Sequence, residues 1–205
     1  ELMSLAEGSP AGPVPLLAVA GAAMHRGDGQ LALATARDAE TFMLRRGTVS
    51  FELSVLLAIS ALQVGELDQA MAAIDDIPPE AMVHPFARVG AALVHSLTGD
   101  AELALADAAA VGGTTGSSYL DRALAAVAAA GAHVSRHDPS AASAVLDDAI
   151  AECVQVGDVV AIALLLQAHL HLVGEAHRLG EGDVSALGSG WVHVLEALAA
   201  LEPAA

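Results

Sequence analysis

Apolar residues recur at helical spacing through most of this chain, and the runs are broken at regular intervals by a glycine followed by a polar residue. The cadence is clearest in Gly27-Asp28-Gly29-Gln30-Leu31-Ala32, Gly65-Glu66-Leu67-Asp68-Gln69-Ala70 and Gly99-Asp100-Ala101-Glu102-Leu103-Ala104, where an alanine stands five positions after the first glycine. Each copy separates two apolar stretches, and a period of about 34 to 38 residues is that of stacked helical hairpins. The pattern predicts an all-α fold of antiparallel helical hairpins stacked as an α-solenoid, about five hairpins long.

The breaks set the expected elements. Helices are predicted over 14–26, 30–46, 49–64 (capped by Thr48), 67–77, 81–97, 101–111, 118–135, from Pro139 to the break at 157–158, from 159 towards 179, and over 185–201. Pro78-Pro79 enforces a break, and Pro85 is tolerable only in a first turn, where its missing N–H leaves no bond unmade. Residues 1–12, with Gly8, Pro10 and Gly12, are expected to be a loose lead or linker remnant, and 13–205 a repeat domain. Its best hinge candidate is 112–117, Gly112-Gly113-Thr114-Thr115-Gly116-Ser117.

Over 49–111 the chain resembles the tetratricopeptide repeat family in its degenerate, alanine-rich bacterial form. Leu57, Gly65, Ala70 and Ile74 stand where that family places leucine, glycine, alanine and a bulky apolar residue, and Gly99, Ala104 and Ala108 continue the match. Ala58 follows the leucine, Ala61 replaces the usual aromatic, and Ser54 replaces the consensus tryptophan. The run from Leu146 to Gly157-Asp158, followed by Ala161-Ile162-Ala163-Leu164-Leu165, is similar to carboxy-terminal repeat arms of large bacterial ATP-dependent signalling or transcription regulators. These resemblances imply a bacterial protein-interaction or regulatory arm that binds through the first helices of its hairpins. Carried onto the matched repeats, the inner face is Glu52, Val55, Ile59, Leu62 and Gln63, then Phe86, Val89, Leu93, Ser96 and Leu97. It lacks the Lys/Arg clamp expected for a carboxylate-terminated peptide, so an apolar or helical segment is the expected occupant, from another protein or another domain of the parent chain.

Charge narrows the class further. Eight arginines and no lysine stand against 25 acids, for a formal net charge of -17. That field repels phosphate backbones and anionic lipid, so no direct nucleic-acid or membrane partner is expected. A phosphate-loop lysine and a lysine Schiff base are excluded outright. Positive mean hydropathy reflects alanine, because apolar stretches are interrupted before the roughly 20 residues a bilayer span needs. Cys153 is alone, so no intrachain disulfide forms and a cytoplasmic setting is expected. Glu1 is no initiator residue, and the chain is expected to be part of a longer polypeptide.

Candidate chemistry is sparse. His133 and His137 are four apart beside Asp138, His169 and His171 diverge, and a zinc site needs three or four converging ligands. Asp75-Asp76 and Asp147-Asp148 are adjacent pairs that point about 100° apart on a helix. Asp28, Asp68 and Asp100 lie at helix starts, where carboxylates accept amide hydrogen bonds. Cys153 is expected to be a buried apolar residue, Arg37, Arg45 and Arg46 to pair internally, and Trp191 to pack in a terminal cap. The sequence thus predicts no enzyme and no cofactor, with a homodimerising structural module as the alternative to an interaction arm. An enzyme or metal-binding helical protein, carried by distant convergence of His133, His171 and nearby acids, is the third reading.

Overall fold

The computed structural model describes residues 12–48 and 50–173 together with His193, Val194, Glu196 and Leu198. Among them there is no strand. The chain forms α1 (Val14–His25), α2 (Gly29–Arg45), α3 (Phe51–Gln63), α4 (Leu67–Asp75), a 3-10 turn (Pro79–Val83), α5 (Pro85–Leu97), α6 (Ala101–Gly112), α7 (Tyr119–Ser135), α8 (Pro139–Val156) and α9 (Val159–Leu172). His193, Val194, Glu196 and Leu198 are also helical.

The glycine cadence has a backbone cause. Gly27, Gly65, Gly99 and Gly157 all have φ between 71° and 83°, in the left-handed region where glycine carries no Cβ penalty. At each, the glycine N–H and the next residue's N–H bond back to carbonyls of the last helical turn, as in Gly27 N to Met24 O and Asp28 N to Ala23 O, both 2.9 Å. The residue after the glycine then starts the next helix. Asp28, Asp100 and Asp158 each accept from the backbone N–H three residues on, at 3.1 to 3.2 Å. One dipeptide therefore stops a helix and caps its successor. His137-Asp138 makes the same turn with a non-glycine residue at φ 59°. Glu66 makes no side-chain cap, and Asp68 lies in the first turn of α4 rather than at its cap. Thr48 does not cap α3: its hydroxyl donates to Met43 O, and Ser50 stands at the cap position.

The predicted helix over 81–97 is divided. Pro85 occupies the first position of α5, and the residue before it, His84, is held extended at φ -81°, ψ 133°, as steric clash with a following proline requires. The residues between Pro78 and His84 are left as a single 3-10 turn. The predicted helix over 159–179 runs past the end of α9 into positions outside the described residues, and of the one over 185–201 only His193, Val194, Glu196 and Leu198 are described. The 112–117 segment contains the end of α6 and the turn into α7, where Thr114 Oγ1 donates to Ala110 O at 2.7 Å and Arg122 Nη1 donates to Ser117 O at 3.2 Å.

Each helix packs on its predecessor, and each odd-numbered helix also packs on the next odd one, α1 on α3, α3 on α5, α5 on α7 and α7 on α9. This mostly local scheme is helical-repeat-like packing. It gives α3 and α7 neighbours on several sides, so every residue from Leu53 to Gln63 and every residue from Ala123 to Ala132 is buried. The even helices bury only a stripe, Ala70 and Ala73 in α4 and Ala142, Leu146, Ile150 and Cys153 in α8. Alanine and glycine dominate these contacts, so the layers approach closely and each residue contributes little area.

Candidate functional site

The ten residues expected on the inner face all lie on α3 and α5, and the structure divides them. Glu52 is exposed and Phe86 half-buried. Val55, Ile59, Leu62, Gln63, Val89, Leu93, Ser96 and Leu97 are buried, so in this structure they hold the helix layer together and offer no free surface. Gln63 shows the reason for one of them: its Nε2 donates to Met24 O at 2.9 Å, tying the end of α1 to the end of α3. Its Oε1 and the Ser96 Oγ are buried without hydrogen-bond partners.

Residues near the carboxy end reach this layer. A Cβ built on Gly131 of α7 would stand 2.7 Å from Ser96 Oγ of α5 and 2.8 Å from Leu198 Cδ2, so Leu198 enters the space that a missing side chain leaves between α5 and α7. Val194 and Leu198 are 1% and 0% exposed, whereas His193 and Glu196 are exposed. Residues four apart share a helix face, and Val194 and Leu198 both join the buried core. The His193 ring lies beside Gly65, at the end of α3. The covered ground thus includes the carboxy-terminal ends of α3 and α5.

Their amino-terminal ends are open. A cavity of about 560 Å³ lies where α3, α5 and α7 begin, against α1. Leu17, Leu56, Phe86 and Leu120 supply its apolar lining, while Glu52 and Asp121 contribute acid and no arginine lines it. Ser118 and Asp121 form a capping box, each accepting the other's backbone N–H, which fixes the acid at the first turn of α7. Phe51 and His84 stack beside this end with ring centroids 4.7 Å apart.

The remaining polar candidates are occupied structurally. Asp107, 4% exposed in α6, takes Arg88 Nη1 on one oxygen and His95 Nδ1 at 3.0 Å on the other, and Arg88 Nε also donates to Met82 O at 2.7 Å. Burial alone would raise the Asp107 carboxyl, but the His95 and Arg88 bonds outweigh it and hold the group below its usual range. The bond to Asp107 correspondingly raises His95 against its own desolvation. This lock was missed by sequence reasoning, although Asp107 stands on the buried stripe with Ala104, Ala108 and Val111, where a carboxylate needs partners. Arg37 pairs with Glu66 at 2.7 Å and Arg46 lies over the Phe42 ring. Cys153 is buried, and desolvation followed by Asp158 and Glu152 pushes its thiol up, away from nucleophilic character. His169 is buried beside Ser143 and Asp147, while His133 and His137 lie on another helix and its turn. Among the described residues no group of three or more His, Cys, Asp or Glu could hold a metal ion, and no helix is long and apolar enough to cross a membrane. Trp191 lies outside the described residues.

No protein-family model matches the chain, and no match was found to a curated protein or to a solved structure.

Proposed function

We propose that this chain is a non-enzymatic protein-interaction or regulatory arm, an α-solenoid of tetratricopeptide-like hairpins that takes a helical segment of a partner on the layer formed by α3, α5 and α7. The observation that carries this reading is the open cavity at the start of those helices, because it joins an apolar lining to acids without a competing arginine. Such a surface favours a cationic amphipathic helix, whose apolar edge fills the lining and whose basic residues meet Glu52 and Asp121. Fluorescence anisotropy with a panel of helical peptides, differing in charge and apolar spacing, tests it. Binding by the cationic amphipathic members, weakened by salt and lost in Phe86→Asp but not in Met71→Asp on α4, is the expected result. Indifference to peptide charge and to Phe86→Asp would sink the reading.

A homodimer is the second reading, favoured by Val154, Val156, Val159 and Val160, which are 45 to 75% exposed around the α8–α9 turn. Val89 and Leu93 are each 0% exposed and contribute nothing to such an interface. Sedimentation over a concentration series separates the two: a constant monomer mass removes the dimer.

A further inference from the structure

We propose that the cavity between α2, α3 and α4 is a binding site for a small organic cation, an ammonium or guanidinium group on a short aliphatic body. It meets the open cavity at the start of α3, α5 and α7 only at Ser50, and it does not depend on the interaction-arm reading.

The repeat itself shows what the corresponding space holds one hairpin later. Gly65 and Gly99, which follow α3 and α5 at φ 81° and 83°, stand 34 residues apart, so the two hairpins correspond at that offset. Arg88, His95 and Asp107, which bond to one another across α5 and α6, then correspond to Ser54, Ala61 and Ala73 of α3 and α4. Ser54 and Ala73 both line a cavity of about 410 Å³. The place that the Arg88 guanidinium takes beside α5 is therefore an open cavity beside α3. Its surroundings suit a cation. Met43, Leu53 and Leu57 supply apolar lining, while Glu40 of α2 and Asp76 at the end of α4 contribute carboxylates from the two flanking helices. Among the described residues neither carboxylate has a bonded partner, and no basic residue lines the cavity. Both α2 and α4 bring their carboxy-terminal turns to it, and the carbonyl ends of helices favour positive charge. The amino-terminal end of α3 carries its own acid there, Glu52, to which Ser50 Oγ donates. The neighbouring Arg37 guanidinium is engaged by Glu66 and Gln69, which ties α2 to the start of α4. Three helices wall the cavity, and its volume is that of a small-molecule site rather than of a docked helix. Apolar lining beneath unpaired carboxylates selects an aliphatic body with one cationic end over its neutral and anionic analogues.

Chemical-shift titration of the full chain, labelled with nitrogen-15, against hexylamine, hexylguanidine, hexanol and hexanoate tests it. The two cations are expected to bind about tenfold or more tighter than hexanol, as a charge-assisted hydrogen bond allows, with hexanoate weakest. Their shifts should cluster on Met43, Leu57 and Ala73. Glu40→Gln combined with Asp76→Asn should lower the affinity for the cations about tenfold by removing that bond, and leave hexanol unchanged. Ser54→Arg, which gives α3 the residue that α5 has at Arg88, should abolish cation binding by placing a guanidinium from the chain itself among the acids. Should Ser54→Arg fail to fold by circular dichroism, the Glu40→Gln, Asp76→Asn chain keeps the test decisive, because neither acid is buried. Cations that bind no tighter than hexanol, an unchanged affinity in the Glu40→Gln, Asp76→Asn chain, or shifts that cluster outside α2, α3 and α4 would each overturn the proposal. An arginine-bearing peptide that displaces hexylguanidine from the same residues and binds more tightly would make this a pocket for a partner's basic side chain, and overturn the small-molecule assignment.

Discussion

Gly29→Ala and Gly112→Ala should move stability in opposite directions although both add one methyl group to a helix. Gly29 opens α2, and its Cβ would stand 2.7 Å from Gln63 Cβ, 3.1 Å from Val64 Cγ1 and 3.2 Å from the Gln63 backbone carbon. Comfortable carbon separations are about 3.5 to 4.0 Å, so α2 must retreat from the end of α3 by close to 1 Å. Backbone atoms cannot rotate away, and overpacking of this kind costs about 1 to 3 kcal/mol. The same displacement strains the buried Gln63 to Met24 bond, worth about 1 kcal/mol. The helix-propensity gain is a fraction of the ~1 kcal/mol available in a helix interior, because Gly29 is the first helical residue. The net expectation is a loss of about 2 to 3 kcal/mol. Gly112 ends α6 with no atom within 4 Å of the added methyl, so alanine there should stabilise by about 0.4 to 1 kcal/mol through the unfolded chain. Urea denaturation followed by far-ultraviolet circular dichroism measures both. Equal effects, or a Gly29→Ala variant as stable as the parent, would refute the close approach of α2 to α3.

Three further outcomes follow from the packing and the buried charges. Ala70 is 0% exposed where α4 meets its neighbours, so Ala70→Leu should cost about 1 to 3 kcal/mol, against less than roughly 0.5 kcal/mol for Asp76→Ser, in the same denaturation assay. His137 occupies the left-handed position that glycine fills in the sister turns, so His137→Gly should gain up to about 1 kcal/mol, read as a raised thermal midpoint. His95 is raised by Asp107, so its contribution is complete below its usual 6.5 and lost as pH rises through the folded value; Asp107 is lowered, so its contribution is complete above its usual 3.8 and lost as pH falls through the folded value. The pair therefore stabilises most between those limits, and Asp107→Asn should flatten the decline in stability from pH 6 to 8, measured as urea midpoints.

Where the sequence was legible, a local rule acted alone. Gly27-Asp28, Gly99-Asp100 and Gly157-Asp158 announce their turns because the left-handed glycine and the capping carboxylate need nothing from the rest of the chain. Pro85 was equally plain as a first-turn residue, but the extended His84 before it was not used, and the predicted helix began four residues early. The inner face was less legible. Spacing places Val55, Ile59, Val89 and Leu93 on one side of their helices, yet their burial is decided by neighbouring layers, and Leu198, about a hundred residues beyond α5 in the chain, lies beside Ser96 of that helix. No periodicity within α5 reports that Gly131 leaves room for it. The Asp107 lock was hidden for the same reason: its stripe position is local, but His95 and Arg88 are supplied by another helix.

The claim that the α3–α5–α7 layer receives a helix is tested most directly by hydrogen exchange on the chain with and without a cationic amphipathic peptide of the panel. Protection should rise in the first turns of α3, α5 and α7, around Leu56, Phe86 and Leu120, with α4, α6 and α8 unchanged. Protection confined to those even helices, or no change at saturating peptide, would contradict it.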